Sequence, residues 1–213
     1  MAWGSSFQRL RNGVAKVAAG LTPFGESVWP GVRNDLFVAH ESIYRFFSTF
    51  AEGQRILDAG CGAGYGALAL ARAGARSVLA VDIDRRSVAF GRRHFSHPAV
   101  RFEVADLNAV KIPVGSFDLV VSSNVLEHLT DPAGFVAEAH RALPAGGRAV
   151  LAVPPITSPT VLDDHRDIHF HRSNLTVDQW LRLVESPGWR AIDIVAHRYR
   201  ESPVPDFTSP FTS

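Results

Sequence analysis

Between Leu57 and Gly66 the chain reads Leu-Asp58-Ala-Gly60-Cys-Gly62-Ala-Gly64-Tyr-Gly66, directly after an apolar run. Glycines at this spacing let a backbone turn with positive φ and bring N–H groups close to a ligand. The carboxylate of Asp58 precedes the loop, and a second, Asp82, stands twenty residues after Gly62 at the end of the next apolar run. An acid at that position can accept hydrogen bonds from ribose hydroxyls. Histidines supply the other chemistry, since imidazole moves protons near neutral pH. His128 follows a later apolar run, and His165, His169 and His171 crowd the segment Asp163-Asp-His-Arg-Asp-Ile-His-Phe-His-Arg.

The loop by itself admits three readings. Gly62-x-Gly64-x-x-Ala67 fits a variant dinucleotide fingerprint, with Asp82 as its distal acid. The register Asp58-x-Gly60-x-Gly62-x-Gly64 suits S-adenosylmethionine (SAM) instead, and a tight turn without ligand is the third. A nicotinamide-dependent oxidoreductase would need a catalytic set, and no Tyr-x-x-x-Lys occurs, because Tyr44, Tyr65 and Tyr199 have no Lys four positions on. The His-rich segment holds three His and three Asp, yet its spacing matches no helix-borne zinc pair, so no metal is expected. Cys61 reads as a small packing residue.

The elements that must position these groups follow from periodicity. Strands are expected at Arg55–Ala59, Ser77–Asp82, Val100–Val104, Phe117–Ser122 and Arg148–Val153, with helices over Ala63–Ala73, Arg85–Phe95 and Pro132–Leu143. Thr130 or Asp131 should cap the last of these helices, and Gly146-Gly147 follows it. Apolar strands alternating with helices predict an α/β fold, a doubly wound, mostly parallel sheet of six to seven strands. Three units are expected: a helical lid over 1–50 (helices near Ser6–Ala19 and Arg33–Phe50), a core over 51–200 and an irregular tail over 201–213. Residues 154–175 read as a Pro- and His-rich loop, followed by a helix near Thr176–Glu185 and a sixth strand near Arg190–Tyr199. A seventh strand would be very short or missing, which exposes a sheet edge and raises the expectation of a homodimer.

Composition narrows the function classes. The chain has 213 residues, with 22 basic against 21 acidic side chains, and 46% of residues are hydrophobic. Charge this balanced does not suit a nucleic-acid binder, and the arginines around the second helix (Arg85, Arg86, Arg92, Arg93, Arg101) read as a solvated face. One cysteine excludes an internal disulfide. No stretch reads as a signal peptide or a membrane span, so the expected location is the cytoplasm.

Taken in order, Leu-Asp-x-Gly-Cys-Gly-x-Gly, the acid at 82, Phe-Asp-Leu-Val at 117–120, Val-Leu-Glu-His at 125–128 and Leu-x-x-Gly-Gly at 143–147 resemble the class I SAM-dependent methyltransferases. The resemblance covers about residues 50–200 and points to small-molecule enzymes of the quinone, sugar and natural-product type. It implies SAM as cofactor, with S-adenosylhomocysteine as its product. By the same resemblance Asp58, Gly60 and Gly62 line the methionine half, and Asp82 holds the ribose. Ile83 packs on the adenine, Asp106 and Leu107 take its edge, and Ser123 or Asn124 lies near the sulfonium. Asp106 and Asn124 could instead simply cap the next helix. The implied reaction is in-line methyl transfer to a hydroxyl, or to an amine, of a small molecule. His128 and His169 are the candidate bases, and aromatics such as Trp29, Phe37, Tyr44, Phe47 and Phe170 suit a partly apolar acceptor or simply the core. A module that binds SAM without turnover is the alternative.

Overall fold

The computed structural model describes residues 35–154, 156–166, 170–191 and 193–195, without the side chains of 35–38 and 163–166. Helix α1 (Asp35–Ser48) leads into strand β1 (Arg55–Ala59), helix α2 (Tyr65–Arg72), β2 (Ser77–Asp82), α3 (Arg85–His94) and β3 (Val100–Val104). Then come β4 (Leu119–Ser123), a 3-10 turn (Leu126–His128), α4 (Pro132–Ala142), β5 (Arg148–Ala152), α5 (Pro159–Arg166) and α6 (Val177–Glu185). All five strands are parallel, in the order β3-β2-β1-β4-β5. The chain therefore winds outward from β1 in one direction and from β4 in the other. The crevice of such a sheet lies beyond the carboxyl ends of those two central strands.

Alternation along the strands divides the core into two layers. Ile56, Val78, Ala80, Leu119 and Val121 face one way and pack against Ile43, Tyr44 and Phe47 of α1, Leu70 of α2 and Val88 of α3. Leu57, Ala59, Val81 and Val120 face the other and meet Phe135, Val136 and Ala139 of α4 and Trp180 of α6. A period of two puts Asp58 on the same side as Ile56, among the α1 and α2 side chains. The second half of α1 is thus part of the packed core, with Phe47 only 1% exposed.

Local chemistry explains the boundaries. Asp131 caps α4 by accepting from Gly134 N, with Pro132 in the first turn. Thr176 and Gln179 form a reciprocal capping box on α6. Asp118 lies just before β4, where its carboxylate takes Arg55 N and the Arg55 guanidinium.

The segment 154–175 differs from the expected loop, because it contains α5. Ser158 Oγ accepts from Val161 N at 3.2 Å, and Pro159 opens the helix, a Ser-Pro start hidden in a Pro-rich context. The expected helix at 6–19 and the tail 201–213 lie outside the described residues, as do 192 and 196–199 of the expected sixth strand. No described helix is long and apolar enough to cross a membrane.

Candidate active site

Asp58 is fully buried near the carboxyl end of β1. Its Oδ1 accepts from the Tyr44 hydroxyl at 2.8 Å, while Oδ2 has no hydrogen-bond partner among the described residues. Burial pushes this carboxyl up to about 7, the Tyr44 hydrogen bond pulls it back down, and the charge of Asp82 adds to the rise.

Asp82 ties the end of β2 to the glycine loop. Its Oδ2 accepts from Gly62 N at 2.8 Å and its Oδ1 from Asp84 N at 2.9 Å. Each oxygen retains a second lone pair. Burial raises the Asp82 carboxyl above its ordinary range against the pull of those N–H groups. Gly62 has φ +52°, and a Cβ built there would meet nothing within 4 Å, so this side of the loop opens onto free space. The loop's N–H groups are less available than the sequence suggests. Gly60 and Cys61 donate to Val81 O, Gly62 to Asp82, and Gly64 to Cys61 O. These four donors shape the loop itself. Ile83, next along, is 65% exposed, an apolar side chain left bare at the strand end. Asp106 Oδ1 accepts from Asn108 N and Nδ2, closing a local turn and capping no described helix. Leu107 is 6% exposed and packs in the layer that contains Val81 and Ile112.

The opposite rim follows β4. Ser123 is buried, and its Oγ has no hydrogen-bond partner among the described residues. Asn124 adopts φ +51°, unusual for a residue other than glycine, and its Nδ2 lies 3.1 Å from Nε2 of His40 on α1. The 3-10 turn then presents Glu127 and His128. The buried Glu127 anchors a distant segment through its backbone carbonyl, which accepts from Arg172 N and Ser173 N. His128 Nδ1 lies 3.0 Å from Phe170 O. A carbonyl can only accept, so Nδ1 carries a proton, while Nε2 lies 3.9 Å from Oε1 of Glu127. The His171 ring lies 5.0 Å away, edge to face. Donor atoms of Glu127, His128 and His171 all fall within 4.8 Å of one another. His169 lies outside the described residues, as do the side chains of Asp163 to Arg166.

The structure thus gathers Asp58, Gly60, Gly62, Asp82, Ile83, Ser123, Asn124 and His128 around the carboxyl ends of β1, β2 and β4. Sequence reasoning missed Tyr44 and His40 as polar partners. Their four-residue spacing marks a shared helix face, but nothing in it points to residues 58 and 124.

SAM carries an ammonium and a sulfonium, an adenosine and a carboxylate. A fully buried carboxylate with one oxygen unused, beside a loop with an open face and a bare isoleucine, fits the cationic and adenosine portions. The comparisons agree. A family model described as "Methyltransferase domain" matches residues 57–151. A "Probable S-adenosylmethionine-dependent methyltransferase" of Mycolicibacterium smegmatis is 34% identical over 171 residues, covering 79% of this chain and 65% of that one. The chain therefore spans slightly less than two thirds of this relative. A "Ubiquinone biosynthesis O-methyltransferase" of Methylocella silvestris is 46% identical over 87 residues, 40% of this chain and 34% of that one. In fold, a SAM-dependent methyltransferase from Mesorhizobium loti superposes with a TM-score of 0.60 at 24% identity, over 75% of this chain and 83% of its own.

Proposed function

From a chain that carries a class I SAM-dependent methyltransferase domain, we propose an enzyme that methylates a hydroxyl group of a small molecule. The observation that carries this reading is Asp58, a buried carboxylate with an unused oxygen beside the glycine loop. When bound, SAM supplies an electrophilic methyl group. Asp58 would hold its ammonium end, Asp82 the ribose hydroxyls and Ile83 the adenine face, with Asp106 and Leu107 at the adenine edge. Ser123 and Asn124 would line the wall nearest the reacting centre.

His128 is the base in this reading. With Nδ1 donating to Phe170 O, the base would be Nε2, which lies 3.9 Å from Glu127 Oε1. Its neighbour Phe170 is 51% exposed and would give a flat acceptor an apolar surface. His169, on the same segment, would assist in orienting the acceptor. The ubiquinone O-methyltransferase of Methylocella silvestris supports a hydroxyl as the methylated group. Balanced charge favours a small acceptor over nucleic acid, and the single Cys61 suits a reducing cytoplasm.

The test is incubation with methyl-labelled SAM and a panel of catechols, phenols, sugar alcohols and amines. Label in a hydroxyl product supports the proposal. Label confined to amines would overturn the acceptor class, and tight binding of SAM without any transfer would make the protein a binding module.

A further inference from the structure

Tyr44 lies on the helix that the sequence reads only as part of a lid, yet among the described residues it makes the one hydrogen bond to the Asp58 side chain. Close packing fixes the ring that carries this hydroxyl. Phe47 and Tyr65 meet it edge to face at 5.5 and 5.7 Å. Gly66 lies directly beneath it, and a Cβ at Gly66 would run into the Tyr44 ring. One turn earlier on the same helix, His40 contacts Asn124 at the end of β4. Helix α1 therefore reaches polar groups on both strands that bound the crevice.

Among the described residues, the groups acting on Asp58 contain no cation. Burial, the Tyr44 hydroxyl and Asp82 of β2 are the influences on it. Asp58 in turn acts on Tyr65 at the start of α2 and on Cys61 in the loop, and Glu41 of α1 also acts on Tyr65. A buried carboxylate without a cationic neighbour favours its neutral form unless a donor steadies the charge. Tyr44 is that donor.

We propose that Tyr44 is a positioning residue of the cofactor site: by donating to Oδ1 it holds Asp58 as a carboxylate with Oδ2 presented to the ammonium group of the cofactor. This rests on the cofactor reading of the site given above. It also links the seating of α1 to cofactor binding, because the same hydrogen bond serves both.

Tyr44→Phe keeps the packed ring and removes only the hydroxyl. Binding of S-adenosylhomocysteine to the variant and the unaltered protein, measured by calorimetry from pH 6 to pH 9, gives the test. Taking the ratio of the two dissociation constants at each pH cancels the titration of the ligand itself. Loss of the donor makes Asp58 harder to ionise, so the ratio should be about tenfold at pH 6 and fall towards one by pH 9. In the ligand-free protein, the carboxyl carbon of Asp58 followed by NMR should titrate at higher pH in the variant. In an Asp58→Asn background, Tyr44→Phe should add no further pH dependence.

A ratio that is flat across pH, or an Asp58 titration that does not move, overturns the Tyr44 proposal while leaving the cofactor site intact. Failure of the unaltered protein to bind S-adenosylhomocysteine at every pH would overturn the cofactor reading itself. If Tyr44→Phe does not fold, 3-fluorotyrosine placed at 44 gives the opposite perturbation. Its stronger donor should move the binding profile to lower pH, and an unmoved profile would sink the idea equally.

Discussion

His128 and Asp58 illustrate how far a residue's role depends on its partners. The sequence places a histidine after the fourth strand, and the structure adds the carbonyl of Phe170, which fixes its tautomer. If His128 is the base, His128→Asn should lower kcat by roughly 100- to 10,000-fold. Binding of S-adenosylhomocysteine, read by calorimetry, should change less than about twofold, because the side chain would touch the acceptor's proton and not the cofactor. A matching loss of cofactor affinity would count against the assignment. Asp58 was legible as a candidate site residue from the Asp-x-Gly-x-Gly spacing. Its state was not, since burial and the bond to Tyr44 come from a helix 14 residues upstream.

At the scale of elements, the expected alternation of strands and helices is what the structure shows for β1 to β5. The strands are short, mostly apolar runs, and helices α3 to α6 each carry a start signal, such as Asp84 accepting from Arg86 N and Ser87 N. The departure at 159–166 has the same physics, a Ser-Pro start inside a segment read as loop. Packing between elements is less visible in sequence. Gly66 reads only as the last glycine of the Leu57–Gly66 run, at the start of the expected helix, but α1 needs it bare so that Tyr44 can approach α2. Gly66→Ala should therefore destabilise the protein by about 1–3 kcal/mol in urea unfolding through overpacking. Nearly unchanged stability would mean that the α1–α2 contact yields easily. The capping box of α6 makes a smaller claim, in which Thr176→Ala lowers stability by about 1 kcal/mol in the same assay.

For the whole molecule, two carboxylates pull stability in opposite directions with pH. Arg55 holds Asp118 down to about 2, first through its side-chain hydrogen bonds. That contribution is complete above pH 4 and disappears as pH falls towards 2. Asp58 is raised instead, so its folded form binds a proton that the unfolded chain has already released. Its contribution is present below pH 4 and is lost as pH rises through about 7. Thermal unfolding of the ligand-free protein should show a decline between about pH 4 and pH 7 that Asp58→Asn flattens. An identical decline in the variant would assign it to other groups, Asp82 first among them. By itself the sequence determined the order of strands and helices, the glycine loop and the two acids flanking it. Those depend on periodicity and on neighbours close along the chain, which a linear reading contains. Only the tertiary structure decided that Tyr44 and His40 of α1 meet Asp58 and Asn124, that His128 meets Phe170 and that the N–H groups of Gly60, Cys61 and Gly62 are spent on Val81 and Asp82. These contacts join residues 14 to 84 positions apart, and they arise from how helices pack across a twisted sheet, which no local pattern encodes.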